Sequence, residues 1–173
     1  IPMGKIMPAY SRLITCMAAS KTFNLASMLI SNIFIPGEKM RKKFQHEVDA
    51  AGISQLSALG IVAAQTAYEK GDEWYHAMLS YVRENIAYVK AYIADHMPGV
   101  NVIDGEGTYL LWLDFRKTGI DPDELDRRII YDAKLWLDSG KIFGKTGAGF
   151  QRINVAAPRK TVEECLERIR RIL

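Results

Sequence analysis

The sequence predicts an α/β chain in which a helical first half gives way to a compact α+β unit. Two observations carry this. Apolar residues recur at Trp74, Met78, Val82, Ile86, Val89 and Ile93, the spacing of three and four that marks one long amphipathic helix. Beyond the stop at Met97-Pro98-Gly99, short apolar runs alternate with glycine-punctuated turns, and further helices are interleaved with them.

The elements follow in order. Leu13 to Met17 is short, apolar and partly β-branched, as a buried strand would be, and the polar stretch Ser20-Lys21-Thr22-Phe23-Asn24 follows it. Met28 to Ile35 is a second apolar run, closed by Pro36-Gly37. A helix is expected from Glu38 to Ala51. Another is expected after Ser54 as its cap, through Leu56, Leu59, Ile61 and Val62 to Tyr68, with Lys70-Gly71 as its stop. Past the long helix, Val100 to Ile103 and Thr108 to Phe115 read as strands around Asp104-Gly105-Glu106-Gly107. Asp121-Pro122-Asp123-Glu124 starts a helix, with a capping aspartate, proline in the first turn and acids at the positive end of the dipole. Leu135 to Leu137 and Phe150 to Ala156 are strand candidates, separated by a loop broken by Gly140, Gly144, Gly147 and Gly149. Thr161-Val162-Glu163-Glu164 fits a capping box opening a terminal helix.

Composition narrows the function classes. The chain has 173 residues, 49% of them hydrophobic and 25% charged, the balance of a globular protein with a real core. Its net charge is +3. The basic runs Lys39 to Lys43 and Arg168 to Arg171 fall in amphipathic helices, so they read as solvated faces, and no nucleic-acid partner is expected. Cys16 and Cys165 are far apart and lack any paired spacing, which points to two buried free thiols in a reducing compartment. No stretch is long and apolar enough to span a membrane, and the expected location is the cytoplasm. His46, His76 and His96 share no metal-binding spacing, so no metal is expected. Gly144-Lys145-Thr146 imitates the end of a phosphate-binding loop, but the earlier glycine position holds Ser139 and no helix follows.

Two residues have chemistry worth weighing. A lysine placed like Lys21 is ordinarily exposed and inert; a catalytic one must offer a neutral amine to a carbonyl. Arg152 stands in the alternating run Phe150-Gln151-Arg152-Ile153-Asn154-Val155, which puts Arg152 and Asn154 on one strand face and Ile153 and Val155 on the other. An arginine there is ordinarily a surface residue or half of an ion pair. The alternative is a planar fork that grips a substrate carboxylate.

The pattern as a whole resembles a known family. Ala19-Ser20-Lys21-Thr22-Phe23-Asn24-Leu25-Ala26 is similar to the cofactor-lysine segment of class I/II aminotransferases, and in particular to the MalY/PatB branch of cystathionine β-lyase-like enzymes. Gly107 to Asp114 resembles that branch's small-domain strand, and Phe143-Gly144 through Arg152-Ile153-Asn154 to Pro158-Arg159 resembles its carboxylate-arginine segment. The resemblance implies a pyridoxal 5'-phosphate (PLP) transferase-like fold of type I. Residues 1–75 would be the C-terminal portion of the large cofactor-binding domain, and residues 76–173 the small α+β domain, joined by the long helix. It implies that Lys21 carries PLP and moves the Cα proton of an amino-acid substrate, that Ser20 helps hold the cofactor phosphate, and that Arg152 binds the substrate carboxylate. The intact protein would be a homodimer.

The resemblance also has gaps. The phosphate arginine that many aminotransferases carry just after the lysine is absent, since Leu25 to Ile30 is apolar, and this favours the MalY/PatB branch. In the family the lysine lies past the middle of the chain, whereas here it is residue 21. The expectation is therefore a fragment of a C–S β-lyase or aminotransferase, without appreciable activity by itself. The alternative is a non-catalytic aminotransferase-like domain of a regulatory protein.

Overall fold

The computed structural model describes residues 3–6 and 12–173. The chain divides into two compact units, one ending at Ala77 and one spanning Met78–Leu173.

The first unit holds α1 (Met3–Ile6), β1 (Thr15–Met17), α2 (Ala19–Thr22), β2 (Asn32–Phe34), α3 (Glu38–Ala50) and α4 (Ala58–Lys70). β1 and β2 form an antiparallel ribbon with Thr15 opposite Phe34 and Met17 opposite Asn32. A ribbon of three-residue strands has little to cover it, and Cys16 is exposed here, contrary to the expectation of a buried thiol. The helix expected after Ser54 begins three residues later. Ser57 is its cap, its Oγ accepting from the Gly60 amide at 3.2 Å. Packing decides this register. A Cβ at Gly60 would stand 2.6 Å from the Met28 carbonyl oxygen, so the helix must present its glycine to that turn.

α5 (Asp72–His96) begins in the first unit and runs on into the second, with Val82, Asn85, Val89 and Ile93 as its buried stripe. The turn that follows it passes through Gly99, whose φ of +87° is left-handed. The second unit continues with β3 (Asn101–Val102), β4 (Leu110–Asp114), α6 (Pro122–Arg127), β5 (Asp138–Ser139), β6 (Phe150–Asn154) and α7 (Arg159–Arg170). Its sheet is antiparallel throughout, in the order β3-β4-β6-β5. Alternation along β4 and β6 sends Leu111, Leu113, Ile153 and Val155 into one core with Val89 and Ile93 of α5, Leu125 of α6, and Val162, Leu166 and Ile169 of α7. Leu110, Trp112, Arg152 and Asn154 alternate with them and take the other face.

Two sequence expectations shift. The strand expected at Leu135 to Leu137 forms instead at Asp138–Ser139, pairing with Arg152 and Gln151. Ser139 is held there because its hydroxyl donates to Asp126 at 3.0 Å, and Asp126 also accepts from the buried Gln151 at 2.6 Å. α7 opens at Arg159 rather than at Thr161. Pro158 takes the cap position, and its carbonyl accepts from the Thr161 and Val162 amides at 2.9 and 3.2 Å. Proline has no N–H to leave unpaired at a helix start, which is why it opens this one.

Candidate active site

Lys21 sits in the single turn of α2, closed by the Phe23 amide donating to Ala19 and the Leu25 amide donating to Ser20. The turn is fixed from both sides. Ala19 is buried, and the Phe23 ring meets Tyr68 edge-on at 5.8 Å and lies about 6 Å from Trp74 and Tyr75. Gly71 makes this possible, since a Cβ there would lie 2.7 Å from the Phe23 ring. Beyond it, Asn24 and Leu29 adopt left-handed φ values of 54° and 51°. The Lys21 side chain is exposed, and no described residue pairs with its ammonium. Ser20 is half-buried and its hydroxyl makes no hydrogen bond to a described residue. This is a suitable donor set for part of PLP: an accessible amine without a competing carboxylate, beside an uncommitted hydroxyl. The two share one helical turn, whereas Arg152 belongs to the other unit.

Arg152 projects from β6 beside Trp112, its cross-strand partner on β4. Its Nε and Nη2 donate to Oδ2 of Asp138 at 3.0 and 2.5 Å, and its guanidinium lies over the Phe143 ring at 4.6 Å. Trp112 meets the same Phe143 ring edge-on at 5.2 Å. Nη1 of Arg152 has no partner among the described residues. Arg152 lines two cavities. One of about 270 Å³ is lined by Trp112, Leu110, Thr108 and Asp104. The other, of about 350 Å³, lies beside Asp138, Leu137, Cys165 and Arg168. The β-branched Thr108 on the rim of the first has φ +70°, a strained conformation for its type.

A second guanidinium, in the turn just past the end of β4, provides a contrast. Arg116 donates from Nε and Nη2 to the two different oxygens of Asp114, at 2.9 and 2.8 Å, in a closed bidentate pair. Hydrogen bonding to Arg116 holds the Asp114 carboxyl below its ordinary range. Both oxygens of that carboxylate are used, so the pair is structural.

Reading the sequence alone missed Asp138 and Phe143 as neighbours of Arg152. Phe143 stood within the motif already noted, but Asp138 lies fourteen residues from Arg152, and only the β5–β6 pairing brings them together.

Comparison with known proteins places this arrangement. No protein-family model matches the chain. It is 34% identical to cystathionine beta-lyase PatB of Bacillus subtilis, over 92% of this chain and 41% of that protein. A PLP-bound structure from Clostridium difficile, described as an aminotransferase, superposes with a TM-score of 0.95 at 38% identity, over 99% of this chain and 45% of that one. PLP-containing cystalysin from Treponema denticola superposes with a TM-score of 0.89 at 35% identity, over 94% of this chain and 41% of that one. Sequence and fold together make this chain a C-terminal region of a PLP-dependent fold type I enzyme. Within that class it falls in the MalY/PatB branch. The chain spans about two fifths of the length of the curated relatives it matches.

Proposed function

We propose that the chain contributes the lysine and the carboxylate arginine to a PLP-dependent enzyme that cleaves the C–S bond of a cystathionine-type amino acid. In this reading Lys21 carries the cofactor, Ser20 holds part of its phosphate, and Arg152 binds the substrate α-carboxylate. Residues up to about 75 complete the large domain and residues 76–173 form the small one. The observation that carries the reading is the uncommitted Nη1 of Arg152 on the open sheet face, in a chain 34% identical to PatB.

Bound PLP supplies the electron sink that makes the substrate Cα–H acidic. Everything else falls to side chains. Arg152 fixes the carboxylate with a planar, permanently charged guanidinium, which orients Cα. The Lys21 amine accepts the Cα proton as general base. With the cofactor bound, loss of that proton would let the Cβ–S bond break, the sulfur leaving as a thiolate that takes the proton back from the Lys21 ammonium, and the unsaturated amino acid set free would hydrolyse with water to pyruvate and ammonia. An aminotransferase uses the same two residues, with Lys21 delivering the proton to a different carbon. The resemblance to the Clostridium difficile structure keeps this as the second reading. The intact enzyme would be a cytoplasmic homodimer acting on amino acids.

The test is titration of the purified chain with PLP, followed by visible absorbance. A saturable band that disappears in Lys21→Ala is the expected result. A band of equal intensity in the variant overturns the assignment of Lys21. In the longer protein, pyruvate release from cystathionine without a keto-acid co-substrate is expected of the lyase; strict dependence on a keto acid identifies the aminotransferase instead.

A further inference from the structure

We propose that Asp138 is a positioning residue for Arg152, locking its guanidinium so that the Nη1 corner is the part offered to a carboxylate. This rests on the reading of Arg152 as the carboxylate site.

The argument is geometric. A guanidinium has five N–H donors in one plane, and it can be approached at its edges or over its faces. At Arg152 the Nε/Nη2 edge is taken by Oδ2 of Asp138 and one face by the Phe143 ring. Nη1 remains without a partner among the described residues, and Arg152 lines the cavity that Trp112 and Thr108 also line. A single oxygen receives both bonds, unlike the Arg116–Asp114 pair, where two oxygens meet two nitrogens. Asp138 is itself held in place. It is the strand partner of Arg152, and its neighbour Ser139 is anchored through Asp126 to the buried Gln151. The aspartate is thus built into the sheet, whereas the arginine it holds is a long side chain that would otherwise sample many rotamers.

Two effects of Asp138 oppose each other. Its negative charge repels an incoming carboxylate, while its hydrogen bonds pre-order the fork. The side chain of Arg152 is 25% exposed and that of Asp138 42% exposed. Water and salt therefore weaken the repulsion, which acts through solvent, more than they weaken the two hydrogen bonds to Asp138, which act at contact distance. Ordering should win.

The experiment uses the 173-residue chain, with ¹⁵N-detected arginine side-chain spectra and propionate as the probe. Wild type is expected to show an ordered Arg152 Nε–H that shifts saturably with propionate, and Arg152→Lys to abolish the response. Asp138→Ala should lose the ordered Nε–H and weaken propionate binding about threefold to tenfold, the range of one ordinary hydrogen bond. Asp138→Asn keeps an acceptor without the charge and should stay within about twofold of wild type. Propionate binding that is unchanged or tighter in Asp138→Ala, with wild type still responsive, overturns the positioning role and leaves the Arg152 assignment intact. No saturable response in folded wild type overturns both. If Asp138→Ala fails to fold by circular dichroism, Asp138→Asn decides: a more than tenfold change in its binding overturns the hydrogen-bond account, and near-wild-type binding with an ordered Nε–H supports it.

Discussion

At the scale of single residues, Asn85 holds more of the second unit together than any surface ion pair does. It is fully buried; its Nδ2 donates to the Val155 and Ala157 carbonyls at 2.8 and 2.9 Å, and its Oδ1 accepts from Nε of Arg159 at 2.7 Å. Asn85→Ala removes all three bonds at once and takes the buried donor from the Val155 carbonyl, and urea denaturation should show a loss of about 3 kcal/mol. Cys165 offers a second test. Burial pushes its thiol up to about 11, so almost no thiolate exists near neutrality. Iodoacetamide at pH 8 should label the exposed Cys16 well before the half-buried Cys165; equal rates would contradict the raised thiol. Glu124 gives a pH dependence. Hydrogen bonds from Arg127 and Arg128 lower its carboxyl to about 2 from an ordinary 4.5. A depressed acid adds stability that is fully present above its unfolded value and is lost as pH falls through its folded one. The melting temperature should therefore decline between about pH 4.5 and 2, and Glu124→Gln should flatten that part of the profile. Lys21 and Arg152 could be picked out as candidates because their neighbours form recognisable motifs. Asp138 could not, because only strand pairing between distant segments brings it to Arg152.

At the scale of elements, the loop from Gly140 to Gly149 shows why its glycines are there. A Cβ at Gly140 would stand 2.1 Å from the Gly147 carbonyl oxygen, and one at Gly147 would stand 2.0 Å from the Gly140 oxygen. The backbone crosses itself at this point, and between the two crossing residues it carries Phe143 onto Arg152. Gly147→Ala should cost roughly 1–3 kcal/mol by overpacking, read by thermal or chemical denaturation. A stability equal to wild type would show that the loop relaxes freely. Helices were the readable part of this chain. The stripe of α5 and the Asp121 cap of α6, whose Oδ1 accepts from the Asp123 and Glu124 amides, follow directly from local pattern. Where an expected start was displaced, from Ser54 to Ser57 or from Thr161 to Pro158, the shift was set by packing or by backbone hydrogen bonding, which a one-dimensional pattern does not contain. The two-residue β5 was missed because it is too short to have a period of its own.

At the scale of the whole molecule, the two units differ in how well they bury their apolar residues. The first exposes Leu29, Ile53, Leu56, Leu59 and Val62, of which Leu59 is 75% exposed, and has few buried apolar residues, whereas the second, although it exposes Trp136 and Ile142, builds one continuous core. Apolar surface of this kind drives association. The isolated chain is expected to sediment as a concentration-dependent oligomer, and Leu59→Glu with Val62→Glu should shift it toward monomer. A sharp wild-type monomer at high concentration would contradict this. The sheet order has a consequence for how the second unit reaches its native state. β4 lies next to β6, and their paired residues, such as Leu110 and Asn154, are far apart along the chain, with α6 and β5 between them. A large loop must close before that ladder repays its entropy, so refolding should be slow, and its rate should respond to truncations at Leu113 or Ile153. Truncation at Leu125 of the locally formed α6 should mainly hasten unfolding, so that the two arms of a denaturant chevron move independently.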